Sequence, residues 1–456
     1  MTLRGSSVAG FVNDRLKIFL EGRAAVLSGC ILATVWLVFL LLVHLFVGTE
    51  LEYTEFFYSF YPAGLLVSAG RSGDLYPGSE DPSFAHTEFN RFVHGMLRHI
   101  PPGSRANFLY PPLVAAVFAL FALLPLKAAL LAWQAVSLAA LALSSYLFCL
   151  TGSVSCRPAR VFFLSFLALT TLSVLFLGQL AIVFGVLPLA AGYFFWHRGR
   201  YRLCGLAWAV VSVKPQIFVP LALVAAIQWL VATARRSQDG TGKAAQELIL
   251  GMAVGLVLIH AVPLLVFGPG AFAGWLRAMK LVITTLADPS STWGFQLVVS
   301  LPALLEFSSP ASGPTTGLAW LVSAAFLAAG TWTSLVVITS RSFDADRKLD
   351  LLLVQSYLLL PLIAHYVRIY DFAILLVPAW IAVFRNNRQD RAGNLLCGSV
   401  VWFFFALNAY LLILFLANKQ AVGTAQIILV AVLGLCWLQA VRASLSACQP
   451  PPQAGA

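Results

Sequence analysis

Apolar stretches of about eighteen residues or more recur along most of this chain, and that one feature removes most folds from consideration. A lipid core holds no water to satisfy backbone N–H and C=O groups, so only helices and closed barrels can span it. The runs are continuous and lack the apolar–polar alternation of barrel strands. Hydrophobic residues make up 60% of the 456 positions and charged ones only 10%. Mean hydropathy is +0.87, far from the soluble range. The chain therefore reads as an all-α polytopic membrane protein.

Orientation follows from arginine and lysine, which collect at cytoplasmic helix ends. The first apolar run, Ala24 to Val47, follows Arg4, Arg15, Lys17 and Arg23. It is too long for a signal-peptide core and lacks a small-residue cleavage site, so it reads as an uncleaved anchor. Residues 1–23 are then cytoplasmic, and 49–107 form the first extracytoplasmic loop. Later basic clusters mark inner ends: Arg157 and Arg160; Arg198, Arg200 and Arg202; Arg235, Arg236 and Lys243; Arg341, Arg347 and Lys348; Arg385, Arg388 and Arg391; and Arg442. Between them, 128–150, 160–177, 180–196, 245–267, 316–340, 350–365, 371–384, 394–416 and 423–441 read as spans. Segment 203–234 goes out and returns, with Lys214-Pro215 at its turn. About 11–13 spans are expected within a transmembrane domain over 24–441.

Two regions strain that scheme. A full crossing by 108–124 would invert everything downstream, so either it re-enters or a later span is misassigned. Residues 268–315, with Trp275, Arg277, Lys280 and Trp293, read as a second outer loop containing a short apolar helix. The end, 442–456 with QPPPQAGA, reads as a disordered cytoplasmic tail. No soluble domain and no repeat is evident. The net charge of +11 is spread over short inter-helix loops, which suits topology and anionic lipid better than nucleic acid. The seven cysteines are scattered and none lies in the first loop, against disulfides or a cysteine metal site.

Chemistry has few places to reside. The interval 49–113 holds seven of the eighteen acidic residues: Glu50, Glu52, Glu55, Asp74, Glu80, Asp81 and Glu88. Ionisable groups at membrane depth are functional candidates by default, and here they are Lys214, His365, Arg368 and Asp371. In HYVRIYDF, His365, Arg368 and Asp371 recur at helical spacing and would share one face; the plainer alternative is an Arg368–Asp371 pair closing a turn. Lys214 is either a snorkelling lysine or an anion ligand, and the adjacent Pro215 favours the second, because a break there sets the ammonium at a cavity edge. Gly178-Gln179 reads as a break or an ordinary turn, and Tyr110-Pro111-Pro112 as a helix start. His86, His94 and His99 lack metal-ligand spacing and read as solvated surface. Glu55 in TEFFYSFYPAG and Asp74 in SGDLYP are solvated charges or catalytic carboxylates.

Taken in order, TEFFYSFYPAG, GDLYP, NFLYPPL, GQL, KPQ and HYVRIYDF resemble glycosyltransferase family 87, over roughly residues 20–420. The resemblance implies a GT-C-like helical bundle similar to the polyprenyl-phosphate-mannose-dependent enzymes. It implies transfer of a mannose-like hexose from a polyprenyl-phosphate donor to a glycolipid or polysaccharide acceptor, with inversion, on the extracytoplasmic side of a plasma (inner) membrane. The family's first-loop aspartate, expected to activate the acceptor hydroxyl, corresponds to Glu55, followed by Phe56, Tyr61, Ala63 and Gly64; Asp74 is the reserve. The family's GQN-like motif is reduced to Gly178-Gln179-Leu180. Lys214 and Arg368 would supply positive charge for the departing phosphate, and His365 would orient the donor or assist proton transfer. Gln179, Tyr110 and Asp371 complete the substrate-binding candidates. Tyr58, Tyr61, Tyr110 and Trp293 would stack on sugars or serve as interfacial anchors. No cofactor is implied beyond the lipid-linked donor, and the first loop has no DxD triplet for a metal. Two further readings remain: a transporter or flippase of a lipid-linked or amphipathic anion, using the same broken helices, and a non-catalytic scaffold.

Overall fold

The structure, a computed structural model, describes residues 22–46, 54–78, 84, 86–97, 99–100, 105–152, 157–234, 241–286, 297–307, 314–340, 342–385, 391–416 and 419–448. Glu50, Glu52, Glu80, Asp81, Cys156, Trp293 and the tail QPPPQAGA lie outside these residues. Every regular element among the described residues is helical, and the one β-bridge, Val298 with Arg368, is isolated.

Among the described residues, seven helices are long and apolar enough to cross a membrane, and an eighth is obtained if Pro158–Leu167 and Leu169–Leu177, bent by 84°, count as one broken span. That is fewer than the eleven to thirteen expected. The difference lies in segments that are apolar but short or interrupted, such as Ile182–His197 and Tyr201–Val213. The stretches Ala345–Ile363 and Ile369–Arg385 are likewise broken into short helical pieces and are buried almost throughout. These interrupted segments fill the middle of the bundle, and the long helices surround them. On the first helix, Arg23–Phe46, Leu27, Ile31, Val35, Val38 and Leu42 form an exposed stripe, while Ala25, Ala33 and Leu40 are buried. The stripe repeats at helical spacing and suits a face turned to lipid.

Small residues set the closest helix approaches. A Cβ on Gly205 would fall 2.0 Å from the Leu248 carbonyl oxygen, and one on Gly251 would fall 2.0 Å from that of Arg202. The helices Tyr201–Ala209 and Thr241–Leu286 thus touch backbone to backbone through reciprocal glycines, the contact that membrane helices use where apolar side chains gain nothing over lipid.

Helix Pro112–Phe121 has ten residues, so it rises about 15 Å, half a bilayer core. It packs beside Tyr61–Ser68, with Gly64 against the Phe118 backbone and Tyr61 Oη donating to the Leu124 carbonyl at 2.9 Å. It is therefore too short for the full crossing that the topology could not accommodate. The region from 268 onward, expected as an outer loop with a short apolar helix, begins with such a helix. The helix from Thr241 continues to Leu286, with a kink at Gly268 (φ 79). Gly268 takes the left-handed conformation open to glycine, and Pro269 restarts the helix in its favoured first turn. Trp275, Arg277 and Lys280 thus lie on a helix packed against the first loop: Trp275 Nε1 donates to the Leu109 carbonyl and Arg277 to that of Pro77.

Candidate active site

Glu55 caps a π-helical turn, Phe56–Phe60, whose Phe56, Phe57 and Phe60 are buried. This aromatic wedge holds the carboxylate inside, with 7% of the residue exposed. Three breaks bring partners to it. Helix Leu169–Leu177 ends on Gly178 in the left-handed conformation (φ 64), which turns Gln179 inward. The short helix Val210–Val213 ends at Lys214 in extended conformation, and Pro215 begins the next helix. Residues 366–368 run extended as well, because Val299 N–H donates to the Val367 carbonyl and Ile369 N–H to that of Leu297.

Four donors converge on Glu55. Tyr110 Oη donates to Oε1 at 2.8 Å; Gln179 Nε2, Arg368 Nη1 and Tyr370 Oη donate to Oε2 at 2.6, 2.7 and 2.6 Å. Beside this group, Lys214 Nζ meets Asp371 Oδ1 at 2.5 Å, with both side chains almost completely buried. The ammonium also lies over the rings of Tyr110 and Tyr370, 5.5 and 5.0 Å from their centroids, a favourable place for a cation. Asp371 accepts the Arg368 backbone N–H at 3.1 Å. Two anions and two cations thus form one buried, charge-balanced cluster. Glu55, Lys214, Tyr366, Arg368, Tyr370 and Asp371 all border a cavity of about 30 Å³, room for a water-sized group.

Burial pushes the Glu55 carboxyl up, but Arg368, Lys214 and the hydrogen bonds from Tyr370 and Tyr110 outweigh it and hold the group below its ordinary value. Burial, reinforced by the Glu55 charge, pushes Tyr58 up to about 12 and Tyr110 well above its usual range. The phenols therefore stay protonated and act as donors. The result is an ionised carboxylate facing two cations at one cavity, a set able to take a proton from a hydroxyl and to stabilise a nearby oxyanion.

Of the sequence candidates, Glu55, Tyr110, Gln179, Lys214, Arg368 and Asp371 come together. Asp74 does not. Its carboxylate pairs with Arg71 Nε at 2.7 Å, with 30% of its side chain exposed, and borders a separate cavity with His86 and Arg277. His365 does not join them either. Its Nδ1 lies 3.1 Å from Glu306 Oε1, and its ring packs on Trp320. The helical face expected for His365, Arg368 and Asp371 fails because the chain is extended up to Arg368. Arg368 and Asp371 do close a turn, but through the backbone: the Arg368 N–H donates to the Asp371 carboxylate and the Asp371 N–H to the Arg368 carbonyl, while the charged side-chain partner of Asp371 is Lys214. Tyr61 is occupied by the Leu124 carbonyl. Sequence reading missed Tyr366, Tyr370 and Gln216, the last donating to Asp371 Oδ2 at 3.4 Å. Tyr366 and Arg368 stand two apart on the extended stretch, where alternate residues share a face, whereas Tyr370 comes from the 3₁₀ helix Ile369–Leu375 that follows.

The sequence model for glycosyltransferase family 87 matches residues 108–363, more than half of the chain. The matched stretch contains Tyr110, Gln179 and Lys214, while Glu55, Arg368 and Asp371 flank it. No curated protein and no solved structure matches.

Proposed function

The chain belongs to glycosyltransferase family 87, a membrane glycosyltransferase by that membership, and from this premise we propose that it moves a mannose-like hexose from a polyprenyl-phosphate donor to a glycolipid or polysaccharide acceptor, with inversion, outside the cytoplasm. The observation that carries this reading is the Glu55 carboxylate and the Lys214 and Arg368 cations bordering one cavity.

A lipid phosphate is already a good leaving group. The transfer needs a base for the acceptor hydroxyl and positive charge where the phosphate departs, and no strong general acid. Glu55 is ionised and surrounded by donors that fix its direction. As the acceptor oxygen bonds to the anomeric carbon, the bond from that carbon to the phosphate oxygen breaks. Its electron pair stays with the phosphate and the proton passes to Glu55. Attack from the face opposite the leaving group inverts the anomeric centre. Arg368 and Lys214 face the charge that develops on the phosphate. Asp371, expected as a substrate ligand, instead holds Lys214 and orders the backbone at Arg368. Asp74, engaged by Arg71 away from the cluster, is not carried forward as the base, and His365 has no direct part in the transfer.

The outer location is supported by the charge pattern. Glu55, Gly178-Gln179, Lys214 and Arg368 meet at helix breaks, whereas Arg198 stands at the far end of the helical stretch after Gln179, and Arg200 and Arg202 at the start of the one leading to Lys214, and such residues mark cytoplasmic ends. Membranes carrying the protein should transfer hexose from polyprenyl-phosphate hexose. Glu55→Gln and Lys214→Ala should each abolish transfer while the protein remains inserted; full activity in both removes the assignment.

A further inference from the structure

Two donors at the Glu55 cavity are left over by the site's own hydrogen bonds. Tyr366 Oη is buried without a partner, and so is Arg368 Nε. Both residues border the cavity, and the Arg368 guanidinium carbon lies 5.2 Å from the centroid of the Tyr366 ring. The Nη1 group is committed elsewhere, to Glu55 and to Tyr370 Oη. A buried donor left unmet is costly, and the cavity that Tyr366 and Arg368 border, about 30 Å³, has room for one acceptor oxygen to meet them, such as an oxygen of a phosphate.

Glu55 itself has the opposite condition. Three donors crowd its Oε2, which has two lone pairs, while Oε1 accepts from Tyr110 alone. An acceptor hydroxyl cannot donate to Oε2 while all three remain, so one of them has to withdraw. Arg368 is the donor with cause to do so, because an incoming phosphate competes for a guanidinium through short, charge-assisted pairs.

We propose that Tyr366 Oη and Arg368 Nε form the oxyanion subsite for the donor phosphate, and that the phosphate, by drawing Arg368 away, relieves Glu55 Oε2 for the acceptor. This rests on the reading of Glu55 as base. Oε2 is thereby closed against the acceptor in the resting site, and the donor binds first. Tyr366 is a binding residue whose ring steadies Arg368 and whose hydroxyl meets the phosphate.

The Glu55→Gln protein, unable to turn over, serves as host for a titration with a polyprenyl monophosphate carrying no sugar. Adding Tyr366→Phe retains the ring and removes one oxygen, and the affinity should fall about tenfold, as expected for a hydrogen bond to a charged group. In otherwise unaltered enzyme, Tyr366→Phe should raise KM for the donor by about the same factor and leave KM for the acceptor unchanged. Initial-rate and product-inhibition patterns should show donor before acceptor. Arg368→Lys keeps a charge and loses the Nε–H, so it should weaken polyprenyl phosphate at least as much. Unchanged affinity in both variants, or a rise confined to the acceptor KM, overturns the subsite; random-order binding overturns the release of Glu55. Failure of the base assignment looks different, since Glu55→Gln would then transfer sugar at the normal rate.

Discussion

At the scale of single residues, the buried charges work in pairs, and removing one member exposes what the other costs. Lys214 and Asp371 are the most deeply buried of these pairs. Replacing Asp371 with alanine should destabilise the protein by about 3–5 kcal/mol, because it leaves a buried ammonium without its counter-ion. The double replacement Lys214→Met with Asp371→Asn should recover most of that loss in a thermal melt while remaining without transferase activity. Recovery of both would mean that the charge is structural only. Glu55→Gln should lower kcat about a hundred- to ten-thousand-fold, the range for loss of a general base. Its pH behaviour follows from the sign of its shift. The folded carboxyl titrates below the ordinary 4.5, so its contribution to stability is complete above that value and is lost as pH falls through the folded one. A melting profile taken downward from pH 5 should accordingly be shallower in Glu55→Gln than in the parent protein.

At the scale of elements, function depends on where helices stop. Gly178 ends Leu169–Leu177 with φ 64, and a Cβ there would fall 2.8 Å from that of Phe56, the residue after Glu55. Gly178→Ala should cost about 1 kcal/mol or more in backbone strain alone, and by moving Gln179 and Phe56 it should reduce transfer further than it reduces the melting temperature. Equal losses would make Gly178 a simple helix cap. Elements also set the reach of the sequence reading. Gly178-Gln179, Lys214-Pro215 and the stretch at His365 to Asp371 were all legible as interruptions, since a membrane tolerates a broken, charged backbone only where protein or a cavity surrounds it. The partner of each break was not legible. HYVRIYDF fits a helical period as well as an extended one, and the choice was made by residues 297–299, far away in the chain.

At the scale of the whole molecule, a second buried polar cluster lies away from the Glu55 site. Arg385 donates to Tyr193 Oη at 2.5 Å and meets Asp350 Oδ2 at 3.3 Å, and its guanidinium also contacts His197. It ties three interrupted segments together at the end where Arg198 and Arg200 emerge. If that end is cytoplasmic, single cysteines at Arg200 and at Gly73, in an otherwise cysteine-free protein, should be labelled from opposite sides of sealed vesicles. Labelling from one side would overturn the orientation. By itself the sequence determined that this is a helical membrane protein, which segments are apolar, where they are interrupted and which residues are too costly to bury without purpose, because all of these follow from local composition and the bilayer's lack of water. Tertiary structure alone decided that Glu55 rather than Asp74 meets the two cations, that Asp371 serves Lys214, and that Arg368 reaches Glu55. Those outcomes depend on contacts between residues far apart in the chain, and no local rule specifies which break will face which.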